Sequence, residues 1–150
     1  MDDVLIVDIE TAPMRGVSNY VTAGEPPKNY KNADTIQKWR ENALQNAIDK
    51  AALDPDLCRI VAIGSKAPDS AVQSTVASSY EDERDMLEQF WRRVTSDTIV
   101  VGYNIIGFDM PVLLRRSLYL NLPNVPHYSL NKYRPSSHLH DLMLMLSMDG

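Results

Sequence analysis

Cysteine is almost absent from this chain, which has only Cys58 in 150 residues. An internal disulfide is therefore excluded, which suits a reducing compartment, and we expect a cytoplasmic protein. Long hydrophobic runs are missing too, because no segment approaches the ~20 apolar residues that cross a bilayer. The N-terminus, acidic at Asp2 and Asp3, lacks the basic and then apolar layout of a signal peptide. We expect no association with membranes.

Basic residues are fewer than acidic residues in this chain. With 15 Lys and Arg against 20 Asp and Glu, the net charge is -5. The chain thus has no overall positive field with which to hold a nucleic acid by displacing counterions. Any contact with nucleic acid must be local, for example through bound metal ions. What is present, 44% hydrophobic and 23% charged residues, is the composition of one globular domain.

Apolar periodicity predicts an α/β protein. The β-branched run at residues 4–9 predicts a buried central strand. Three- and four-residue spacing at 33–53 predicts a helix capped by Asp34, whose Ile36 and Trp39 side is expected to pack on the sheet or a neighbouring helix. A hairpin, a helix, a second buried strand, another helix and a short strand are predicted to follow, at residues 59–79, 80–96, 98–104, 110–120 and 138–142.

Three carboxylates follow the two strands expected at the centre of the sheet. Asp8 and Glu10 end the first run, in VLIVDIETAP, and positions i and i+2 of a strand share a face. Asp109 follows the second run, in GYNIIGFDMPVLLRR. Open α/β sheets bind ligands at the carboxyl ends of their strands, and oxygen ligands select Mg²⁺ or Mn²⁺ over zinc. We therefore expect a site for a hard divalent cation.

Each acid also has a structural alternative. Asp8 and Glu10 would need no function if they lie in water past the end of a strand. Asp109 is well placed to be a helix N-cap, with Pro111 in the first turn. A zinc site at His138 and His140 would need further ligands, and none is visible at a fitting spacing.

The two acidic motifs together resemble the first two exonuclease motifs of the DnaQ-like 3'–5' exonucleases, which have the ribonuclease H-like fold. The chain is most similar to the predicted proofreading-type exonucleases related to the exonuclease domain of family B DNA polymerases, and its PKNYKNADTIQKW and KAALDPDLCRIVAIG segments share the likeness. The resemblance implies a mixed sheet of about five strands with helices on both faces. It also implies one domain, residues 1–150, with a helical insertion at about 14–57 and a missing C-terminal helix.

The resemblance further implies a two-metal-dependent 3'–5' exonuclease acting on single-stranded DNA, as in proofreading and DNA repair. Asp8, Glu10 and Asp109 would be catalytic ligands of two Mg²⁺ or Mn²⁺ ions. The implied contacts with the 3'-terminal nucleotide come from Thr11, Asn104 and Phe108. An aromatic ring beside a strand end usually packs in the core, so we expect this of Phe108. The adjacent Arg115 and Arg116 are expected to be solvated.

One family feature is not found in the sequence. The fourth carboxylate of these enzymes lies in a late Tyr-x-x-x-Asp or His-x-x-x-x-Asp motif, whereas Asp141, in HLHDLMLML, matches the segment before that motif. We expect Asp141 to be a helix N-cap or to hold a metal ligand in position without binding the metal itself. Without the late helix, apolar surface near residues 143–148 is expected to be covered by a second copy or a companion chain. Two alternatives remain open: a member that binds nucleic acid or protein without cutting, and an exonuclease that acts on RNA.

Overall fold

A five-stranded mixed sheet forms the centre of the fold. The computed structural model describes residues 3–131, 133–134 and 136–147. Its strands are β1 (Asp3–Pro13), β2 (Cys58–Lys66), β3 (Gln73–Val76), β4 (Thr98–Gly102) and β5 (Leu139–Asp141). They lie in the order β3-β2-β1-β4-β5, with β2 antiparallel to both of its neighbours and β4 parallel to β1 and β5. The predicted ribonuclease H-like mixed sheet is confirmed.

Four α-helices connect or follow these strands in the described residues: α1 (Ala33–Lys50), α2 (Tyr80–Arg93), α3 (Asp109–Tyr119) and α4 (Leu142–Leu146). Short 3-10 helices at Val17–Asn19 and Ala51–Leu53 flank α1. A capping box of Ser79 and Asp82 starts α2, and acids in its first turn and arginines in its last match the helix dipole. None of the helices in the described part of the chain is long and apolar enough to span a membrane.

Helices α2 and α3 cover one face of the sheet. The buried residues of β1 that point to this face are Leu5, Val7 and Ile9. They join one core with buried residues of both helices, including Met86, Leu87, Phe90, Val112 and Leu113. The residues that alternate with them in β1 are exposed, namely Ile6, Asp8 and Glu10. We call the side of the sheet that carries these three residues the open face.

Strand β1 extends beyond the predicted run of residues 4–9. It continues to Pro13 because β2 pairs with it as far as Cys58, across an irregularity in register between Glu10 and Thr11. Asp8 and Glu10 therefore lie within a paired strand, opposite Gly64 and Ala62 of β2, and not in water past its end.

Helix α1 forms where it was predicted, but the predicted cap is wrong. The side chain of Asn32, not Asp34, caps it by accepting hydrogen bonds from two backbone N–H groups. No residue of α1 is buried, and Trp39 is only half-buried. The side predicted to pack is nevertheless the more covered one, since Ile36, Trp39 and Ala43 are half-buried and α1 contacts β1. The core tryptophan is Trp91, which is 7% exposed and donates from Nε1 to Ser117 Oγ at 2.7 Å.

Candidate active site

Asp8 and Glu10 project from the open face of the sheet. The residues opposite them on β2 are Gly64 and Ala62, which place no long side chain beside the two acids. Both acidic side chains are exposed. The central strand thus presents two carboxylates to solvent with space around them.

Asp109 is the first residue of α3 and contacts β1 from there. The N-cap position is occupied by Phe108, and no side chain caps the helix there. Asp109 is only 6% exposed, and its Oδ1 accepts a hydrogen bond at 3.2 Å from the backbone N–H of Ile9. Ile9 lies between Asp8 and Glu10 in sequence. The carboxylate of Asp109 is therefore turned toward the strand that carries the other two acids and does not serve as the N-cap.

The pKa of the Asp109 carboxyl is raised to about 6, chiefly because burial penalises its charged form. Hydrogen bonds from the backbone N–H groups of Asp109 and Ile9 lower this pKa, whereas the negative charges of Asp8 and Asp141 raise it. At neutral pH the site therefore concentrates negative charge that the folded chain does not neutralise. A bound cation would relieve this repulsion.

The donor set of the site fits a hard divalent cation. All three side chains offer carboxylate oxygens, which suit Mg²⁺ and Mn²⁺. In the residues that the structure describes, no three acidic, histidine or cysteine side chains already stand close enough to hold an ion. Closing the set around an ion would require side-chain rotation, which exposure allows for Asp8 and Glu10.

Asp141 anchors the loop that leads to Asp109. It is 4% exposed, and its Oδ1 and Oδ2 accept hydrogen bonds from the N–H groups of Asn104 and Ile106 at 3.0 and 3.1 Å. The same carboxylate is the N-cap of α4, with Oδ1 accepting from Met143 N at 2.9 Å. One buried side chain thus joins the β4–α3 loop to the end of β5. Its oxygens are engaged by the backbone.

The residues expected to contact a nucleotide have structural contacts of their own. Thr11 donates from Oγ1 to the Ala52 carbonyl at 2.6 Å. Phe108 is half-buried and packs against the core. Asn104 has a left-handed φ of 54°. Its side chain lies so close to Gly107 that a Cβ there would be 2.3 Å from Asn104 Oδ1, so any larger residue would displace the Asn104 side chain. Their contacts with a nucleotide stay predictions.

A buried ion pair behind the site was not foreseen. Arg116 of α3 is 4% exposed and Glu83 of α2 is 0% exposed. Arg116 Nε and Nη2 donate to the two Glu83 carboxylate oxygens at 2.8 and 2.9 Å. Glu83 Oε1 also accepts from Ile60 N at 2.8 Å. Both Arg115 and Arg116 were expected to be solvated. Arg115 is exposed and pairs with Asp56, but the expectation is wrong for Arg116, which is buried.

Helical spacing contained a signal for this pair. Glu83 precedes Met86 and Leu87 by three and four residues, so it lies on the apolar side of α2. Arg116 has the same relation to Leu113 and Val112 in α3. A single charge on each of two apolar helix faces indicates a buried pair when the faces meet, because an unpaired buried charge is costly.

Replacing Asp109 with asparagine is expected to stabilise the metal-free protein at neutral pH. The folded pKa of about 6 lies above the ordinary value of 3.8. Ionised Asp109 therefore destabilises the fold, and stability is lost as pH rises through this interval. Asparagine keeps an acceptor for Ile9 N–H without the charge. The variant should match wild type near pH 4 and exceed it by about 2 kcal/mol at pH 7 to 8.

The measurement is urea unfolding of both proteins in EDTA across this pH range. Asp97→Asn, which changes an exposed acid remote from the cluster, is the control. A stability difference that stays constant with pH would contradict the prediction.

The mixed five-stranded sheet with its helices is consistent with the class of ribonuclease H-like exonuclease domains. The family model described as "DNA polymerase family B, exonuclease domain" matches residues 32–147. The chain belongs to this family. The matched span includes Asn104, Asp109 and Asp141 but not Asp8 and Glu10. Membership supports a 3'–5' exonuclease function in general terms.

Two curated relatives are DNA polymerase delta catalytic subunits. The protein of Caenorhabditis elegans is 41% identical over 58 residues, which cover 37% of this chain and 5% of that polymerase. The protein of Bos taurus is 36% identical over 62 residues, which cover 39% of this chain and 6% of that polymerase. The matches thus span only a small part of these relatives. A solved structure of the family B DNA polymerase from the hyperthermophilic archaeon Pyrobaculum calidifontis matches 82% of this chain and 12% of its own, at 21% identity and a TM-score of 0.41.

Proposed function

We propose that this chain is the catalytic part of a metal-dependent 3'–5' exonuclease that acts on single-stranded DNA. The observation that carries the proposal is the hydrogen bond from Ile9 N–H to Asp109 Oδ1, which turns Asp109 toward the strand bearing Asp8 and Glu10. Family membership supports the exonuclease reaction. DNA is the proposed substrate because the relatives are DNA polymerases.

The proposed ligands of two Mg²⁺ or Mn²⁺ ions are Asp8, Glu10 and Asp109. When bound, such ions activate a water molecule and stabilise the oxygens of an in-line phosphoryl displacement. Exposure of Asp8 and Glu10 leaves their carboxylates accessible to substrate and solvent. Because the pKa of Asp109 is about 6, its protonation should weaken metal binding at lower pH. Thr11, Asn104 and Phe108 are proposed to line the position of the 3'-terminal nucleotide.

Slow cleavage is expected from the 150 residues by themselves. The nearest further acid, Asp141, has both oxygens engaged by backbone N–H groups and is a poor fourth ligand. Catalytic groups that act as a unit lose most of the rate when one is absent. A companion chain or second copy is proposed to cover the apolar surface of α4, where Met145 and Leu146 are 57% and 76% exposed. Residue 148, at the end of the predicted apolar stretch, lies outside the described residues.

The test is digestion of a labelled single-stranded DNA in Mn²⁺ by wild type, Asp8→Ala and Asp97→Ala. We expect slow release of nucleotides from the 3' end, abolished by Asp8→Ala and unchanged in the Asp97→Ala control. Calorimetric titration should show Mn²⁺ binding that Asp8→Ala removes. Cleavage or Mn²⁺ binding that survives Asp8→Ala would refute the proposed site.

Two further experiments test the alternatives of an RNA substrate and of a protein that binds without cutting. An RNA strand of the same sequence that is cleaved faster than DNA would reassign the substrate. Binding of DNA without any cleavage in Mn²⁺ or Mg²⁺ would instead support a member of the family that binds without cutting.

A further inference from the structure

An exposed aromatic ring follows the strand that pairs in parallel with β1. Tyr103 directly follows β4, and 65% of it is exposed. Strand β4 runs parallel to β1 with Val101 opposite Ile6. Tyr103 comes two residues after Val101, just past the end of β4, and Asp8 comes two residues after Ile6 in β1. Tyr103 therefore leaves β4 at the edge of the sheet toward which β1 carries Asp8.

Alternation along β4 decides which side the ring takes. Buried residues of β4 alternate with half-buried ones, and Gly102 is on the buried side. A Cβ on Gly102 would lie 2.9 Å from Ile105 Cδ1 and 3.0 Å from the Val7 carbonyl oxygen, so this side is fully packed and the strands still run together here. Tyr103 follows Gly102 and is 65% exposed, so its ring is not part of this packed side, and continued alternation would place it on the open face.

The backbone that carries the ring is held in place. The N–H of Asn104, the next residue, donates to the buried carboxylate of Asp141 at 3.0 Å. Among the described residues, no side chain or backbone group forms a hydrogen bond with the Tyr103 hydroxyl. An ordered backbone thus presents a large aromatic surface that nothing in the described fold uses.

We propose that Tyr103 is a stacking platform for a base of the nucleic acid strand whose backbone reaches Asp8. The inference rests on the proposed function and adds a substrate contact to it. A chain with a net charge of -5 gains little affinity for a polynucleotide from its overall field. Stacking on an aromatic ring supplies affinity without positive charge and accepts any base, because every base has a π-face. This is the type of contact that an acidic, sequence-tolerant exonuclease requires.

The test measures the binding of 5'-labelled oligothymidylate by fluorescence anisotropy, with Ca²⁺ in place of Mn²⁺ to suppress cleavage. Tyr103→Ala is expected to weaken binding by about 5-fold or more, and Tyr103→Phe by less than about 2-fold because the ring is kept. Tyr119→Ala is the matched control, since it removes a ring that is 53% exposed from α3, on the covered side of the sheet. Melting temperatures should show that all variants are folded.

A second probe isolates stacking from contacts with the backbone. A strand of abasic nucleotides has the same phosphates and no bases, so wild type should bind it less tightly than oligothymidylate. In Tyr103→Ala the difference in affinity between the two strands should be clearly smaller than in wild type. A merely structural role of Tyr103 would weaken the binding of both strands together.

Distinct results separate this inference from the proposed function. If Tyr103→Ala binds oligothymidylate as wild type does, while cleavage still depends on Asp8, only the role of Tyr103 is overturned. A loss of self-association in Tyr103→Ala without a change in DNA affinity would also overturn it and assign the ring to a protein contact. If wild type neither binds nor cleaves DNA, both proposals fail.

Discussion

Replacement of Arg116 with methionine is expected to lower the free energy of unfolding by about 3–5 kcal/mol, since it leaves a buried carboxylate without its cation. Glu83 is 0% exposed, and after the change it keeps only the Ile60 N–H among its observed partners. Burial alone lowers the pKa of the Arg116 guanidinium, but the Glu83 hydrogen bonds and charge outweigh this, and the net pKa is raised. Arg116 therefore keeps its charge in the folded protein, and its removal leaves the buried Glu83 carboxylate without a cationic partner.

The chain offers a matched control one residue away. Arg115→Met removes an exposed arginine that pairs with Asp56 at the surface, and solvent screens such pairs. Urea unfolding should show a large loss for Arg116→Met and almost none for Arg115→Met. Arg116→Lys should fall between wild type and Arg116→Met, because it keeps the charge but not the two parallel hydrogen bonds. Equal losses at the two positions would show that the buried pair adds nothing beyond a surface pair.

Removal of the Asp141 carboxylate is expected to destabilise both the fold and the metal site. Asp141→Ala leaves the N–H groups of Asn104, Ile106 and Met143 without their acceptor. An unsatisfied buried donor costs about 1–3 kcal/mol, so we expect a total loss of about 3–5 kcal/mol. The loop that leads to Asp109 loses its anchor at the same time. Affinity for Mn²⁺ should therefore fall, although Asp141 is not a proposed ligand.

Asp141→Asn separates these two effects. Asparagine keeps one acceptor oxygen but presents an NH₂ group to at least one backbone donor, so its stability should lie between those of wild type and Asp141→Ala. Thermal melting in EDTA reports the fold, and calorimetric titration with Mn²⁺ reports the site. If Asp141→Ala keeps the wild-type stability and the wild-type affinity for Mn²⁺, the anchoring role is refuted. Asp97→Ala is the control for loss of one negative charge.

Much of the fold was predictable because strands and helices leave local patterns in a sequence. The β-branched runs predicted β1 and β4, and the apolar spacing of Met86, Leu87 and Phe90 predicted α2. The two acidic motifs, interpreted together, predicted that carboxylates meet on the central strands. Family resemblance supplied the mixed sheet of about five strands, which the structure confirms, and the strand order came only from the structure.

The sequence by itself determined the elements and the residue types of the candidate site, because periodicity and short motifs are properties of adjacent residues. Only the tertiary structure decided what each polar group contacts. The partners Ile9 and Asp109 are 100 residues apart, and Glu83 and Arg116 are 33 apart. Such pairs depend on how helices and strands pack in the folded chain, which adjacent residues do not specify. In the folded chain Asp109 accepts a hydrogen bond from β1 and is not an N-cap. Arg116 is buried, whereas the adjacent Arg115 is exposed.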